Sequence, residues 1–288
     1  MKNYFLLLKS SAKIMPIVHW ILSIMLGITL VDEIIPLFLI ALSSISFIFA
    51  WFFTVGINDY YDVDIDAITN PERPLITRKL TKNDVKMFFI VSGVISLALG
   101  GIIDILNQKI GVVILGGVFL LLGILYSMPP IRLKGKTPLS SFVIGVVTSE
   151  CILAGGVLVG LTGLGILYAC SLGFLVTFIS AAKDLKDIEG DRADDVPTIS
   201  TVYGPKKAAL VFQIINTIGY SSILLFYFFQ PLPWILIVLI ISIIILNLIL
   251  FQRFKSNPSK ANGKLIYGVG FSLYMILSVL LLIFNLTS

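Results

Sequence analysis

Charge is scarce in this 288-residue chain: Lys, Arg, Asp and Glu make up 13% of it, histidine occurs once, as His19, and cysteine twice, as Cys151 and Cys170. Two isolated thiols, each inside an apolar run, exclude a cysteine-ligated zinc site and a disulfide framework. They are expected to be small packing residues. No polar stretch is long enough to make a soluble domain, and no low-complexity tract or linker interrupts the sequence. What is present is apolar: 57% hydrophobic residues and a mean hydropathy of +1.02 lie far outside the soluble range. The expected class is an all-α, multi-pass membrane protein.

A helix crosses a bilayer core with about 20 apolar residues, roughly 17–25 being tolerated. Nine stretches qualify: Ile14–Val31, Pro36–Ile57, Val85–Ile103, Ile110–Ser127, Leu139–Gly160, Gly163–Ala182, Ala208–Phe229, Leu232–Phe251 and Leu265–Leu286. Lys2, Lys9 and Lys13 precede the first, as in a secretory signal, but its length and the lack of a small-residue cleavage site indicate a retained helix. With nine crossings, all 21 Lys and Arg residues except Lys109 fall on the side of the amino terminus. Basic residues resist translocation. The expectation is one bundle of nine transmembrane helices in the cell membrane, a single domain over residues 1–288, with its amino terminus cytoplasmic. The net charge of +5 suits an anionic inner leaflet and calls for no nucleic acid, and no obligatory protein partner is indicated. Paired glycines, Gly100–Gly101, Gly116–Gly117 and Gly155–Gly156, are expected to let helices approach closely.

Polar residues gather in two long cytoplasmic segments, Asn58–Asp84 and Lys183–Lys207, each following an outside-to-inside helix, which hints at an internal repeat. NDYYDVDIDAITNPERPL contains Asp59, Asp62 and Asp66; AAKDLKDIEGDRADD contains Asp184, Asp187 and Asp191. Both sets step by three and then four residues, which on a helix puts the carboxylates on one face. Asn58 adds an amide to the first set, whose helix cannot persist through Asn70–Pro71. Six carboxylates in an apolar chain repel one another unless positive charge sits between them, and a divalent metal with oxygen ligands is the usual solution. Lys183, Lys186 and Arg192 flank the second set. Carboxylates that hold magnesium beside cations that hold phosphate oxygens form the two halves of a diphosphate site. One isolated DxxD would be a solvated face; two of matching spacing on one side, interleaved with Arg and Lys, argue otherwise. Asp64 falls off the shared face, and Glu72, Asp194, Asp195, Asp32, Glu33 and Asp104 are expected to be merely solvated. In a third segment, YSMPPIRLKGKTP, Pro129 and Pro130 are expected to stop the helix and hold the backbone extended, projecting Arg132 and Lys134 away from the membrane end.

With these motifs the chain resembles the UbiA superfamily of intramembrane prenyltransferases. NDYYDVDID is similar to the family's first motif and KDLKDIEGDR to its second, while NPERPL and YSMPPIRLK are similar to further family segments. Within the superfamily, DIDAITNPERPL, YSMPPIRLK and DIEGDR are most similar to the digeranylgeranylglyceryl phosphate synthases of archaea and the chlorophyll synthases. The resemblance implies a UbiA-type fold and magnesium-dependent transfer of a polyprenyl group, geranylgeranyl first, from its diphosphate to a hydrophobic or lipid acceptor such as geranylgeranylglyceryl phosphate. It implies that Asn58, Asp59, Asp62 and Asp66 hold one magnesium ion and Asp184, Asp187 and Asp191 a second. Arg73, Arg132 and Lys134, joined by Lys183 and Arg192, would clamp the diphosphate, and Tyr126 would sit near the reacting carbon. Asp62, Asp66, Asp187, Asp191 and Tyr126 are thus expected to carry catalysis. Many relatives follow the Arg-Pro pair with a Pro-Ser-Gly turn and carry an arginine in the first helix; here Leu75-Ile76-Thr77-Arg78 follows the pair, and only Lys13 lies near the first helix. Prenylation of a quinone, aromatic or chlorophyll-type acceptor, a terpene cyclase on the same scaffold, and a membrane transporter are the alternatives. A transporter would set its ionisable residues near mid-membrane.

Breaking an allylic carbon–diphosphate bond builds negative charge on the leaving group and positive charge on the carbon. Aromatic faces such as Phe53, Tyr60, Tyr61 or Tyr126 are expected to shelter the cation. Glu150 lies midway along the fifth span, where an ionisable group is costly and is normally functional or paired. His19 lies a turn inside the first span, beside Trp20. With Lys13, these two are the candidates for the acceptor's pocket.

Overall fold

The computed structural model describes residues 4, 6–8, 14–136, 138–193 and 197–287; Lys13, Asp194 and Asp195 lie outside the described residues. Every regular element among the described residues is helical. In chain order they are α1 (Ile14–Ile28), α2 (Leu37–Tyr61), α3 (Val63–Thr69), α4 (Lys82–Asn107), α5 (Val112–Ser127), α6 (Leu139–Val159), α7 (Gly163–Ala181), α8 (Asp184–Ala193), α9 (Ile199–Tyr203), α10 (Pro205–Ser222), α11 (Trp234–Ser256) and α12 (Lys260–Thr287). Single 3₁₀ stretches follow α5, at Leu133–Gly135, and α10, at Ile223–Phe228.

Each of the nine apolar stretches forms a helix. Among the described residues seven of these are long and apolar enough to cross a bilayer: α2, α4, α6, α7, α10 with its 3₁₀ extension, α11 and α12. The other two, α1 and α5, are apolar but shorter. At 1.5 Å per residue the 16 residues of α5 reach about 24 Å, against a hydrocarbon core of roughly 30 Å. Several helices also outrun their apolar stretches. The α4 helix begins at Lys82 rather than Val85 because Thr81 caps it: Thr81 Oγ1 accepts from the Asp84 N–H at 3.2 Å while the Asp84 carboxylate accepts from the Thr81 N–H at 2.9 Å. This reciprocal box satisfies two donors that a helix start otherwise leaves open.

Chain packing separates two units, one of Met1–Leu133 with Glu150–Leu161 and one of Lys134–Ser149 with Thr162–Ser288, so that α6 gives one half to each. In the first unit α2 runs against α4 and α5. Phe47, Phe119 and Trp20 form its aromatic layer, with ring centroids 5.8 Å (Phe47–Phe119) and 5.9 Å (Trp20–Phe119) apart. The α1 helix meets the second half of α6 at glycine: a Cβ on Gly27 would come 1.9 Å from the Ile152 carbonyl oxygen, and one on Gly155 2.0 Å from that of Ile24. In the second unit α10 packs on α7 and α11, and α12 on α8 and α11. There Ala182, Leu185, Ala208, Phe212, Phe251 and Phe254 close a core around the start of α8. Cys151 is buried as expected, whereas Cys170 is exposed on α7.

Asp104 corrects the sequence reading. It is 7% exposed, not solvated, and its carboxylate accepts from the N–H groups of Gly111, Val112 and Val113 at 3.1, 2.9 and 3.1 Å. The last turn of α4 thereby caps the start of α5, which has no cap of its own because Gly111 carries no side chain. An Asp104→Ala substitution is expected to cost about 1–3 kcal/mol, seen as a lowered thermal midpoint in detergent, with Asp104→Asn recovering part of it.

Candidate active site

The first acidic motif straddles the end of α2. The i→i+4 ladder continues through the break at Asp62: its N–H donates to the Asn58 carbonyl at 3.0 Å and its own carbonyl accepts from the Asp66 N–H at 2.7 Å. Asn58, Asp62 and Asp66 therefore stay in helical register although α2 formally ends at Tyr61. The ladder stops at Asn70, as expected ahead of Pro71, and Asn70 turns its amide back to Asp66 Oδ1 at 3.0 Å. In the turn that follows, one guanidinium nitrogen of Arg73 reaches both Asp59 and Asp66, the latter at 2.6 Å. Asp59, Asp62 and Asp66 are all buried, at 3%, 8% and 4% exposure, so these are ion pairs shielded from water.

Arg132 completes this cluster by a route the sequence did not indicate. Its predicted extended, outward-projecting segment is instead a turn: the Arg132 N–H donates to the Met128 carbonyl at 3.0 Å, and the residue takes a φ of 41°. The backbone is folded back, not held straight, and Arg132 Nη2 donates to Asp62 at 2.8 Å. Beside the cluster lies a cavity of about 240 Å³ lined by Trp51, Thr54, Val55, Asn58, Asp59, Arg73, Tyr126 and Ser127. Ser127 donates across it to the Asn58 amide oxygen at 3.5 Å.

Of the aromatic candidates Tyr126 lines this cavity, whereas Phe53, Tyr60 and Tyr61 are not among its lining residues. Phe53 and Tyr60 lie on the face of α2 that packs against α4, each with its ring centroid 5.7 Å from that of Phe89, and Tyr61 is held by Tyr60 at 5.0 Å. The aromatic that does line the cavity is Trp51. With Thr54, Val55 and Asn58 it forms an i, i+3, i+4, i+7 stripe, a signal legible by counting back along the helix from Asn58. His19 is buried against Trp20 at 4.4 Å, outside the cavity lining. Glu150 is 4% exposed, and among the described residues neither carboxyl oxygen has a hydrogen-bond partner; it too lies outside the lining.

The second motif occupies α8 in the second unit. Leu185 and Ile188 anchor the helix in its core. Gly263 lets α12 come close, since a Cβ there would lie 2.6 Å from the Leu185 carbonyl oxygen. Lys186 pairs with Asp187 at 2.6 Å, Lys183 donates to Ser140 at 3.3 Å, and Arg192 is exposed. Asp184 is 3% exposed, and among the described residues its Oδ2 has no hydrogen-bond partner. Burial pushes its carboxyl up to about 6, with Lys183 opposing the rise, and burial lowers Lys183 against the pull of Asp184, Asp187 and Asp191. Among the described residues no three His, Cys, Asp or Glu side chains are grouped as a ready-made metal site.

A raised carboxyl pKa in the folded state favours the protonated fold. The contribution of Asp184 to stability is present below the usual carboxylate range and is lost as pH climbs through about 6. Without divalent cations, Asp184→Asn is therefore expected to be more stable than wild type at pH 7.5 by on the order of 2 kcal/mol, the gap closing towards pH 4. Thermal denaturation of both proteins in EDTA across that range checks this; a gap independent of pH would contradict it.

The sequence from residue 20 to residue 284 matches the model of the UbiA prenyltransferase family. This chain belongs to that family. As a UbiA prenyltransferase it is 30% identical over 194 residues to the digeranylgeranylglyceryl phosphate synthase of Methanosphaera stadtmanae, a match covering 65% of this chain and 67% of that relative. The fold agrees with a solved structure from work on digeranylgeranylglyceryl phosphate synthase in membranes, at a TM-score of 0.81 and 21% identity, covering 100% of this chain and 99% of that one. A UbiA homolog from Archaeoglobus fulgidus bound to GPP and Mg2+ superposes with a TM-score of 0.69 at 20% identity, covering 98% of each chain. This UbiA prenyltransferase is accordingly an all-helical, multi-pass membrane enzyme, as its sequence led one to expect.

Proposed function

We propose that this UbiA prenyltransferase moves a polyprenyl group, geranylgeranyl in the first instance, from its diphosphate to a lipid acceptor, with geranylgeranylglyceryl phosphate the leading candidate. The observation that carries the reading is the cavity of the first unit. Its walls combine Asn58, Asp59 and Arg73, which suit a metal-bound diphosphate, with the aromatic faces of Tyr126 and Trp51, which suit a developing allylic cation. The likeness to the Methanosphaera synthase supports the acceptor.

Magnesium fits the donor set, which is built from hard carboxylate and amide oxygens, and the buried, unpartnered Oδ2 of Asp184 is an atom such an ion would satisfy. Asn58, Asp59, Asp62 and Asp66 would hold one ion and Asp184, Asp187 and Asp191 a second; the Mg2+ bound by the Archaeoglobus homolog supports the choice of metal. When bound, the metal offsets charge on the departing diphosphate. Arg73, Arg132, Lys134, Lys183 and Arg192 supply N–H donors to its oxygens. Asp66 and Asp62 hold Arg73 and Arg132 in place, Asp187 and Asp191 would act through the second ion, and Tyr126 would face the carbon as its bond to oxygen breaks. The acceptor's oxygen would then bond to the carbon as the carbon–diphosphate bond breaks, its proton being released and the diphosphate leaving with the metal.

Residues 1–288 act as one prenyltransferase domain, a reading supported by the single span of the family match. Nine crossings, with the amino terminus and both acidic motifs cytoplasmic, are supported by the Lys and Arg distribution. The test is incubation of the purified protein with labelled geranylgeranyl diphosphate, Mg2+ and a panel of acceptors, followed by mass spectrometry. A product with the mass of a prenylated glycerophosphate is the expected result. A labelled quinone or phenol would replace the acceptor, and a cyclic product formed without any acceptor would replace the reaction.

A further inference from the structure

No Asp or Glu follows Asp195 in the sequence, yet six basic residues do: Lys206, Lys207, Arg253, Lys255, Lys260 and Lys264. All of them stand at one end of the second unit. Lys206 and Lys207 occupy the first turn of α10, Arg253 and Lys255 the last turn of α11, and Lys260 and Lys264 the start of α12. What gathers them is an apolar core between the same helix ends. Ala208 and Ala209 follow the α10 pair, Phe251 and Phe254 bracket Arg253, Ile266 follows Lys264, and these apolar side chains share one core. Every one of the cations but Lys255 is exposed, and Lys255 donates to Gln213 at 2.9 Å, tying the end of α11 to α10 two turns below Lys206. Among the described residues no carboxylate forms an ion pair with any of them. The acidic helix of this unit, α8, meets α12 at Gly263.

Charge of one sign gathered in this way repels itself and draws anions. The surface just inside it narrows the kind of anion. One turn into α10 from Lys206 and Lys207 stand Leu210 and Val211, and one turn into α11 from Arg253 stands Ile249, all three exposed. Each of those three cations therefore has an aliphatic side chain about 6 Å deeper along its own helix. Tyr203, which ends α9 just ahead of Lys206, is exposed as well, an amphipathic ring of the kind that sits at headgroup level. A soluble phosphate would use only the charged rim. A ligand with phosphate at one end and hydrocarbon at the other uses both the rim and the aliphatic side chains beneath it.

We propose that the ends of α10 and α11 form a binding site for an anionic membrane lipid, its phosphate held by Lys206, Lys207 and Arg253 and its hydrocarbon laid along Leu210, Val211 and Ile249. The Arg253 guanidinium offers paired N–H donors and the two ammonium groups offer compact charge, a combination that suits phosphate oxygens. None of these residues belongs to the proposed diphosphate or metal sets, so the site stands or falls independently of the transferase reading.

The full-length protein in non-ionic detergent is incubated with phosphatidylglycerol or phosphatidylcholine of matched acyl chains, and native mass spectrometry counts the lipid retained. Wild type is expected to retain phosphatidylglycerol about tenfold over phosphatidylcholine, and K206Q/K207Q/R253Q to bring that ratio within about twofold. R78Q/K79Q/K86Q removes as much exposed charge from the first unit and is expected to keep the wild-type ratio. Should the first triple variant fail to elute as a folded species, K206Q/K207Q takes its place, with a partial fall expected and an unchanged ratio overturning the site. A wild type without preference, or an equal fall in both triple variants, overturns it too, because the cations then act only through their total charge. Displacement of the lipid by an equal concentration of inorganic phosphate overturns it in favour of a soluble anion.

Discussion

Asp62→Ala is expected to reduce prenyl transfer by about 10³-fold while the protein still elutes as a folded species. Asp62 stands at the junction of α2 and α3, 8% exposed, and holds Arg132 at 2.8 Å. Its loss removes one carboxylate from the set proposed for the metal and releases the guanidinium proposed for the diphosphate. The two contributions can be separated. If Asp62 acted only by aiming Arg132, Arg132→Ala would be as damaging; if it also holds the cation, D62A is the worse of the two. Initial rates at saturating substrate, together with size-exclusion profiles, give the comparison. The same loss is expected for Asp187→Ala. Turnover of D62A within tenfold of wild type would remove the first motif from the chemistry.

The second large effect is on stability. Gly155→Ala is expected to cost about 1–3 kcal/mol, because its methyl group would be driven to 2.0 Å from the Ile24 carbonyl oxygen, backbone that cannot rotate away. Gly101→Ala provides the contrast. A Cβ there meets nothing within 4 Å among the described residues, so the change gains about 0.5–1 kcal/mol of helix propensity. Thermal or denaturant unfolding of both variants in one detergent decides the matter. Equal stability of the two would mean that α1 and α6 do not touch at this point.

These two glycines also show where the sequence was readable and where it was not. Both belong to adjacent pairs in apolar stretches, and a pair signals close helix approach without saying which member faces a neighbour. Gly155 does and Gly101 does not. Helix existence was legible in the nine apolar stretches, since hydropathy alone dictates it in lipid; the short α9 in the second polar segment was not foreseen. Helix ends were less so, because Lys82, Lys260 and the last turn of α11 are polar yet helical. The register of Asn58, Asp62 and Asp66 could be read from spacing. The fold-back of Arg132 could not: two consecutive prolines constrain the backbone locally but do not say which way the chain leaves. Asp104 was misread for a similar reason. Its partners are three N–H groups seven to nine residues ahead, and a carboxylate near a loop looks the same in sequence whether it faces water or a helix start. The proposed roles of the site residues came from resemblance and from the spacing of charged groups; the apolar stripe that runs back from Asn58 to Trp51 carries no charge and so was passed over.

Asp59, Asp62 and Asp66 already hold Arg73 and Arg132 before any ligand arrives. In the function proposed above, those guanidinium groups would have to be divided between the carboxylates and a diphosphate, and a divalent cation that took over the carboxylates would free them for it. On that reading cation and diphosphate would bind as a pair, each poorly held without the other.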